Sequence, residues 1–489
     1  MKQKGIASFY KDFLTLGVGT FLYMLVGVIG TPVITRLVDP VDYGQMSMLT
    51  VYSNFGLMAC GLGLDQTMLR YFYRDELRYQ RKLVTVCCGV PLLAALVIGV
   101  LLLLTVVAGA TWFTMTELIL LELNVAALLI NRFATLVLRL RARTKTYSIV
   151  NIVQKGSYIV LTVALVLLIK AHHFEILAVA TVVSTLLAAL LAMMFERDIW
   201  RLPERGYRLP VGMGELLKYG FPLMLSSSIT VVFNALDKLF IRHYCTLTDV
   251  GVYAGAMNLM AVFSIVRTSF NAIWMPAAVE HYERDPGDKT FFRQGNAFIS
   301  VLMLLFGAGV VLCKDLFVML LGSKYQAASM VVPYLMFEPI LYTISETTAT
   351  GIVVQKKSGY QLLVVGGACL GNFLGNWLLV PWIGVQGAAL STGLSYILFF
   401  ALRTGFANKV FYVNYRLPRF YLLVAALFLF AAYGSNHRFS WQQAVAFLGI
   451  AATVLLAYRE LIWEAVGRVL RGRRARKGLE HEEGSEKGQ

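Results

Sequence analysis

Four basic residues lie inside long apolar runs of this sequence, in stretches long enough to cross a lipid bilayer. They are Arg132, Lys155, Lys238 and Arg267. A charge at the centre of a membrane helix costs about 2.5–3.5 kcal/mol on insertion scales, so four cost on the order of 10–14 kcal/mol. That cost is comparable to the whole stability of a small domain. We therefore expect these side chains to face water, an opposite charge or an anionic ligand, and we predict all four as substrate-binding residues.

Acidic residues also fall within the apolar runs. The set is Asp65, Glu122, Asp237, Glu338 and Glu346. Glu338 precedes Pro339, and a proline weakens a helix and frees backbone carbonyls that can join a carboxylate in binding Na⁺ or H⁺. We predict Asp237, Glu338 and Glu346 as ion-coupling residues. Asp237 or Glu338 can equally serve as the ion-pair partner of Arg267, and the sequence leaves that alternative open.

Each buried charge also has a structural interpretation. Lys155 and Arg132 lie near the predicted cytoplasmic ends of their spans, so their long side chains could reach the headgroups. Asp65 could pair with Arg70 close to the same surface. Asparagines accompany the charges, and in membrane helices they commonly hydrogen-bond one helix to another. They are Asn124, Asn131, Asn234, Asn258, Asn271, Asn372 and Asn376.

Catalytic and cofactor motifs are missing from the sequence. It has no GxxxxGK[ST] phosphate loop, no HExxH and no paired CxxC, and its six cysteines are scattered through apolar sequence. The pair His172-His173 sits in a short predicted loop and is expected to be a surface feature. We predict no catalytic residue, no cofactor and no metal site, so any energy must come from an ion gradient, the membrane potential or substrate supply.

The composition indicates a chain made of membrane helices. Hydrophobic residues make up 58% of the 489 residues, and the mean hydropathy is +0.66. We predict an all-α polytopic integral membrane protein with about 14 transmembrane helices. Roughly 34 lysines and arginines fall on one side of these spans and about six on the other, which places both termini in the cytoplasm. The net charge of +16 thus reflects topology, and nucleic acid is not an expected partner.

A faint internal repeat organises the helices. The stretch 11–78 consists of two apolar runs around the turn 39–44, and the stretch 218–285 repeats the pattern around 246–251. Gly44 and Gly251 occupy equivalent places, 207 residues apart, as do Asp42 and Asp249. Duplicated membrane halves are typical of transporters that bind their substrate between the halves.

The repeat and the polar stretches divide the chain. We predict a six-helix lobe over 1–195, a cytoplasmic linker over 196–214, a second six-helix lobe over 215–409, two additional helices over 410–463, and a basic then acidic cytoplasmic tail over 464–489. The linker is the longest connection without a span, and it carries two prolines and mixed charge. The stretch 458–477 has apolar residues at helical spacing among arginines, which favours a helix lying on the inner leaflet.

The first hairpin resembles the opening of the Wzx-type polysaccharide flippases. The resemblance is carried by a proline-containing helix that ends at Arg36-Leu37, by Asp42-Tyr43-Gly44, and by a second helix with Gly63-Leu64 before Arg70-Tyr71. Its specificity is concentrated in residues 13–73. Through these flippases the chain is similar to the multidrug/oligosaccharidyl-lipid/polysaccharide exporters.

The resemblance implies two six-helix lobes in a V-shaped arrangement plus two C-terminal helices, in a bacterial cytoplasmic (inner) membrane. It implies a flippase, not an enzyme, that moves an undecaprenyl-pyrophosphate-linked oligosaccharide to the outer leaflet for export of an exopolysaccharide or O-antigen. Na⁺ or H⁺, a polysaccharide polymerase and glycosyltransferases are the implied partners. Three alternatives remain: a lipid II-type flippase, a cation-coupled multidrug antiporter, and a membrane-embedded glycosyltransferase or polymerase.

Overall fold

The computed structural model describes residues 6–73, 76–109, 113–204 and 206–460, with side chains from residue 19 onward. Throughout those ranges the regular structure is helical. The helices are α1 (Ile6–Leu37), α2 (Pro40–Gly61), α3 (Leu64–Tyr71), α4 (Leu77–Val107), α5 (Met115–Leu140), α6 (Thr144–Ile169), α7 (His173–Phe195), α8 (Arg197–Trp200), α9 (Met213–Tyr244), α10 (Leu247–Met260), α11 (Ser264–Arg284), α12 (Thr290–Leu312), α13 (Lys314–Leu321), α14 (Ala328–Leu335), α15 (Phe337–Thr348), α16 (Thr350–Val354), α17 (Gly359–Val410), α18 (Leu417–Asn436) and α19 (Trp441–Ala457).

Many of these helices are long and apolar enough to cross a membrane. Within the described ranges 11 qualify by length and composition, or 12 when α2 and α3, bent by 53°, count as one broken span. The bend follows from the backbone at Leu62 and Gly63, which both take positive φ angles and so cannot continue a helix. The predicted all-α, multi-pass membrane fold is confirmed.

The predicted number of fourteen spans is not reached by this count and stays a prediction. Two features account for the difference. Helix α17 has 52 residues with a break at Ile383 and Gly384, and a straight helix of that length would measure about 78 Å, more than twice the hydrocarbon core. Helix α19, with 17 residues, is just shorter than a standard span.

The chain folds into two compact units. Of the described residues, unit 1 contains those within 1–265, 316–331 and 362–395, and unit 2 contains those within 266–315, 332–361 and 396–489. This division follows spatial packing, while the predicted lobes 1–195 and 215–409, the linker 196–214 and the additional helices 410–463 remain predictions. The predicted surface helix 458–477 and the tail 464–489 lie almost wholly outside the described residues, which end at 460.

Equivalent positions of the internal repeat begin equivalent helices in unit 1. Helix α2 begins at Pro40 and α10 begins at Leu247, and these two residues stand 207 apart like the repeated glycines. Thr246 and Asp249 form a reciprocal capping box that satisfies the free N–H groups at the start of α10. The repeated turn therefore has a structural role as a helix start.

The repeated glycines meet at the crossing of α2 and α10. A methyl group placed on Gly44 would overlap the carbonyl oxygen of Leu247, and one placed on Gly251 would overlap the carbonyl oxygen of Pro40. The overlapped atoms belong to the backbone, so a change of side-chain rotamer cannot relieve the overlap. Only glycine on both helices allows this approach, as in other close crossings of membrane helices.

Gly44→Ala should lower the free energy of unfolding by about 3 kcal/mol, the upper end of the range for overpacked cores. The reason is that α2 and α10 must separate before the new methyl group fits. Thermal unfolding of the purified chain in detergent measures the effect. Gly89→Ala is the matched control, since a methyl group at Gly89 in α4 meets nothing within 4 Å. Equal unfolding temperatures for the two variants would contradict the close crossing.

Candidate functional site

A cavity in unit 1 has a volume of about 300 Å³. Six helices contribute to its wall: α1, α2, α6, α7, α9 and α10. Glycines in α1 make room for it, since a methyl group on Gly27 would lie 3.3 Å from Cε of Lys155, and one on Gly30 would overlap the side chain of Ile159. The volume is at the lower end of the range of ligand pockets.

Two of the predicted substrate-binding residues, Lys155 and Lys238, line this cavity. Both side chains are half-buried, and the Nζ of Lys155 lies 5.8 Å from the ring centre of Tyr158. Among the described residues of the wall none is acidic. Two lysine side chains in a wall without a described acid favour an anionic ligand.

Hydroxyl and amide groups surround the two lysines. The amide of Asn258 donates a hydrogen bond to the hydroxyl of Tyr43 at 2.7 Å, and Gln154 donates to Thr185 at 3.2 Å. Further polar side chains in the wall are Tyr23, Thr31, Ser47, Thr50, Thr181 and Ser184. Such groups can both donate and accept hydrogen bonds, which suits a ligand rich in hydroxyl groups as well as charge.

Asp237 occupies a separate polar cluster of unit 1, next to Lys238 in sequence but facing other partners. One carboxylate oxygen accepts hydrogen bonds from Asn372 at 3.0 Å and from Asn376 at 2.7 Å. The other accepts from the hydroxyls of Tyr253 at 2.5 Å and of Thr392 at 2.7 Å. Four donors therefore satisfy both oxygens of this buried carboxyl group.

The same cluster is rich in oxygen atoms. In the described part of the chain the Oδ1 of Asn376 is buried without a hydrogen-bond partner. An asparagine amide presents an oxygen and a nitrogen of similar shape, so a half-turn of either amide exchanges a donor for an acceptor. One carboxylate together with amide and hydroxyl oxygens is a ligand set that suits a hard cation. Within the described residues no group of three or more His, Cys, Asp and Glu side chains lies together, so such a site rests on a single carboxylate.

Arg267 lies in unit 2, against an aromatic side chain. Its guanidinium carbon is 4.5 Å from the ring centre of Tyr342, which is a cation–π distance. A second guanidinium, that of Arg403, lies 5.3 Å from the same ring and 5.6 Å from the ring of Phe399. Unit 2 thus gathers two arginines around one tyrosine.

The predicted acids Glu346 and Glu338 belong to the same region of unit 2. Arg403 pairs with Glu346 at 3.1 Å and donates to the hydroxyl of Ser345 at 2.7 Å, and both charged side chains are buried. Glu338 hydrogen-bonds the side chain of Tyr396. Removing one partner of a buried ion pair is strongly destabilising, so the pair has a clear structural role.

Arg132 has an acidic partner in unit 1. Its guanidinium donates to Asp65 at 2.7 Å, and half of the Arg132 side chain is exposed. Arg70, the alternative partner of Asp65, instead lies 4.4 Å above the ring of Tyr219. The structure therefore brings Lys155 and Lys238 together, while Arg132 and Arg267 occupy other places.

Sequence reasoning missed Arg403. Its side chain is buried inside α17. The apolar run around it, SYILFFALRTG, is a signal that could have identified it. The tyrosines of the cavity were also missed, since aromatic residues in membrane helices usually pack or line an interface.

The helices and the intramembrane cavity define a multi-pass membrane protein with the fold of transporters. The fold is similar to the solved structure of lipid II flippase MurJ in an inward closed conformation. The match covers 92% of this chain and 100% of the MurJ chain, with a TM-score of 0.65 and 12% sequence identity. The fold also matches an inward-facing multidrug resistance MATE family transporter of the MOP superfamily, over 86% of this chain and 98% of the other, with a TM-score of 0.51 at 13% identity.

The chain belongs to the polysaccharide biosynthesis protein family, whose sequence profile matches residues 9–281. It is 24% identical over 330 residues to the Lsg locus putative protein 1 of Haemophilus influenzae, covering 65% of this chain and 77% of that protein. The family agrees with the predicted resemblance to polysaccharide flippases, and the two solved structures confirm the predicted fold.

Proposed function

We propose that this protein moves an undecaprenyl-pyrophosphate-linked oligosaccharide from the cytoplasmic to the outer leaflet of a bacterial inner membrane. The observation that carries the proposal is the cavity of unit 1, with Lys155 and Lys238 in a wall that has no acid among its described residues. A pyrophosphate matches the two ammonium groups, and the surrounding hydroxyls and amides suit a sugar. The family and the flippase fold support transport of a lipid-linked saccharide.

The other predicted residues have secondary roles in this proposal. Arg132 at the exposed face of α5 and Arg267 in unit 2 are proposed as additional phosphate contacts. The fork of an arginine can bind a phosphate with two hydrogen bonds, so Arg267 could exchange its tyrosine contact for such a pair. Their present partners, Asp65 and Tyr342, make these assignments weaker than those of the two lysines.

Ion coupling is assigned first to Asp237. Its cluster supplies oxygens for Na⁺ and a carboxylate for H⁺, while Glu346 is already neutralised by Arg403. Glu338, hydrogen-bonded to Tyr396 and followed by Pro339, stays proposed as a second coupling residue. Binding of a cation next to the substrate cavity would link an ion gradient to transport, because Asp237 and Lys238 are neighbours on α9.

Reconstituted vesicles test the function directly. We expect the purified chain to move a fluorescent prenyl-pyrophosphate oligosaccharide between leaflets, measured as the fraction of probe that becomes accessible to a membrane-impermeant quencher. Lipid II and a cationic dye are offered in parallel, since they represent the two alternative functions of the same fold. Transport of the dye alone would reject the proposal in favour of a multidrug antiporter, and transport of lipid II alone would favour a lipid II flippase.

A further inference from the structure

A small cavity of unit 2 lies apart from the cluster around Arg267. It has a volume of about 70 Å³ and opens where α12 and α18 begin and α19 ends. Its charged and aromatic lining consists of Arg293, Tyr415, Arg416, Arg419, Tyr458 and Glu460. A cavity of this size suits a compact group and excludes an oligosaccharide.

Positive charge exceeds negative charge in this lining. Three arginines face one acid, Glu460, which accepts a hydrogen bond from Arg416 at 2.8 Å. That hydrogen bond and the charge of Arg416 hold the pKa of Glu460 below its usual range, so the carboxylate is ionised at neutral pH. Arg419 lies over the ring of Tyr458 at 4.3 Å and also interacts electrostatically with Glu460, so that two arginines share one acid.

The helix ends add to the positive potential. Arg293 lies in the first turn of α12, and Arg416 and Arg419 flank the start of α18. Neither helix has an acidic residue in its first turn, although the N-terminal end of a helix dipole favours negative charge and disfavours arginine. The positive charges of the arginines and the positive ends of the two helix dipoles repel one another. An anion bound between the helix ends would offset this repulsion.

The position of the cavity selects the kind of anion. By length and composition α12 and α18 can each span a bilayer and α19 is slightly shorter. The cavity lies at the ends of these helices, which is where a bilayer that they cross would have its headgroups. Tyr415 and Tyr458 are buried beside the arginines and form the aromatic part of the lining. Arginines at this level attract anionic lipids.

We propose that this cavity, the α12–α18 site, binds the phosphate of an anionic phospholipid. The guanidiniums of Arg293, Arg416 and Arg419 would hold the phosphate oxygens, and the carboxylate of Glu460 occupies part of the site when the lipid is away. Lipid binding and the Glu460 contact therefore compete for Arg416. The site is independent of the transport proposal, since it shares no residue with the cavity of unit 1.

Melting temperatures of the purified full chain in a neutral detergent test the site. Dioctanoyl-phosphatidylglycerol should raise the melting temperature in a saturable way, whereas dioctanoyl-phosphatidylcholine and inorganic phosphate at the same concentration should not. Arg293→Gln and Arg419→Gln should each weaken the apparent affinity about fivefold, the factor that one basic residue adds near an anionic surface. Arg201→Gln, at an exposed arginine of unit 1, is the matched control and should leave the affinity unchanged.

Glu460→Gln separates a lipid site from a purely structural cluster. Removing the competing carboxylate should tighten phosphatidylglycerol binding about fivefold by the same reasoning. A weaker affinity in Glu460→Gln would overturn the proposal, because the arginines would then need the acid for their placement. Equal stabilisation by phosphatidylcholine would also overturn it, and equal stabilisation by inorganic phosphate would assign the site to a soluble anion. Because Arg293 is exposed, its variant gives a readout even if Arg419→Gln fails to fold.

Discussion

Lys238→Gln should reduce transport of a prenyl-pyrophosphate oligosaccharide by about tenfold or more in reconstituted vesicles. A hydrogen bond to a charged group contributes about 1.5–3 kcal/mol. The lower limit corresponds to a change of about tenfold in the dissociation constant of the substrate. Lys238 faces the cavity together with Lys155, and in the described wall no other cation can replace it. The initial rate of probe movement at saturating and at low probe concentration measures the loss.

Matched variants separate substrate binding from structure. Lys238→Arg keeps the charge and should retain more transport than Lys238→Gln, whereas Lys170→Gln, at an exposed helix end, should behave like the natural chain. The neighbouring Asp237 already has four hydrogen-bond donors, so the loss of Lys238 leaves its local partners in place. Full transport by Lys238→Gln at normal protein levels would contradict the role of this lysine.

The individual charges could be predicted from the sequence, but their grouping could not. An ionisable residue within an apolar run is conspicuous because the bilayer makes it costly. Lys155 and Lys238 stand on α6 and α9, and only the packing of six helices shows that they share one cavity. The same limit applies to Asp237, whose partners Asn372 and Asn376 follow more than 130 residues later in the chain.

The repeat shows what a sequence pattern can establish about packing. The shared separation of 207 residues predicts that Gly44 and Gly251 occupy equivalent helix positions, and the helix starts at Pro40 and Leu247 agree with it. The pattern does not show that the two glycines touch, because the contact depends on how α2 crosses α10. Arg403 illustrates the same limit, since its buried ion pair joins it to Glu346, 57 residues earlier in the chain.

Asp237→Asn should remove the dependence of transport on an imposed ion gradient. The neutral amide cannot offer the negative charge that holds a cation. Its NH₂ group would face one pair of donors, either the amides of Asn372 and Asn376 or the hydroxyls of Tyr253 and Thr392. Vesicles with an inward or outward Na⁺ gradient, and separately with a pH gradient, measure the coupling. We expect the natural chain to respond to one of the two gradients and Asp237→Asn to respond to neither.

Two further variants make the test of Asp237 specific. Asn376→Ala removes one donor and the unpartnered Oδ1 but keeps the carboxylate, so it should weaken the response to the gradient without abolishing it. Glu122→Gln changes a half-buried carboxyl group of α5, outside the cluster, and should retain the full response. Thermal unfolding of each variant in detergent separates a loss of coupling from a loss of folded protein. An Asp237→Asn protein that is folded and still fully gradient-dependent would place the coupling site elsewhere, with Glu338 as the next residue to change.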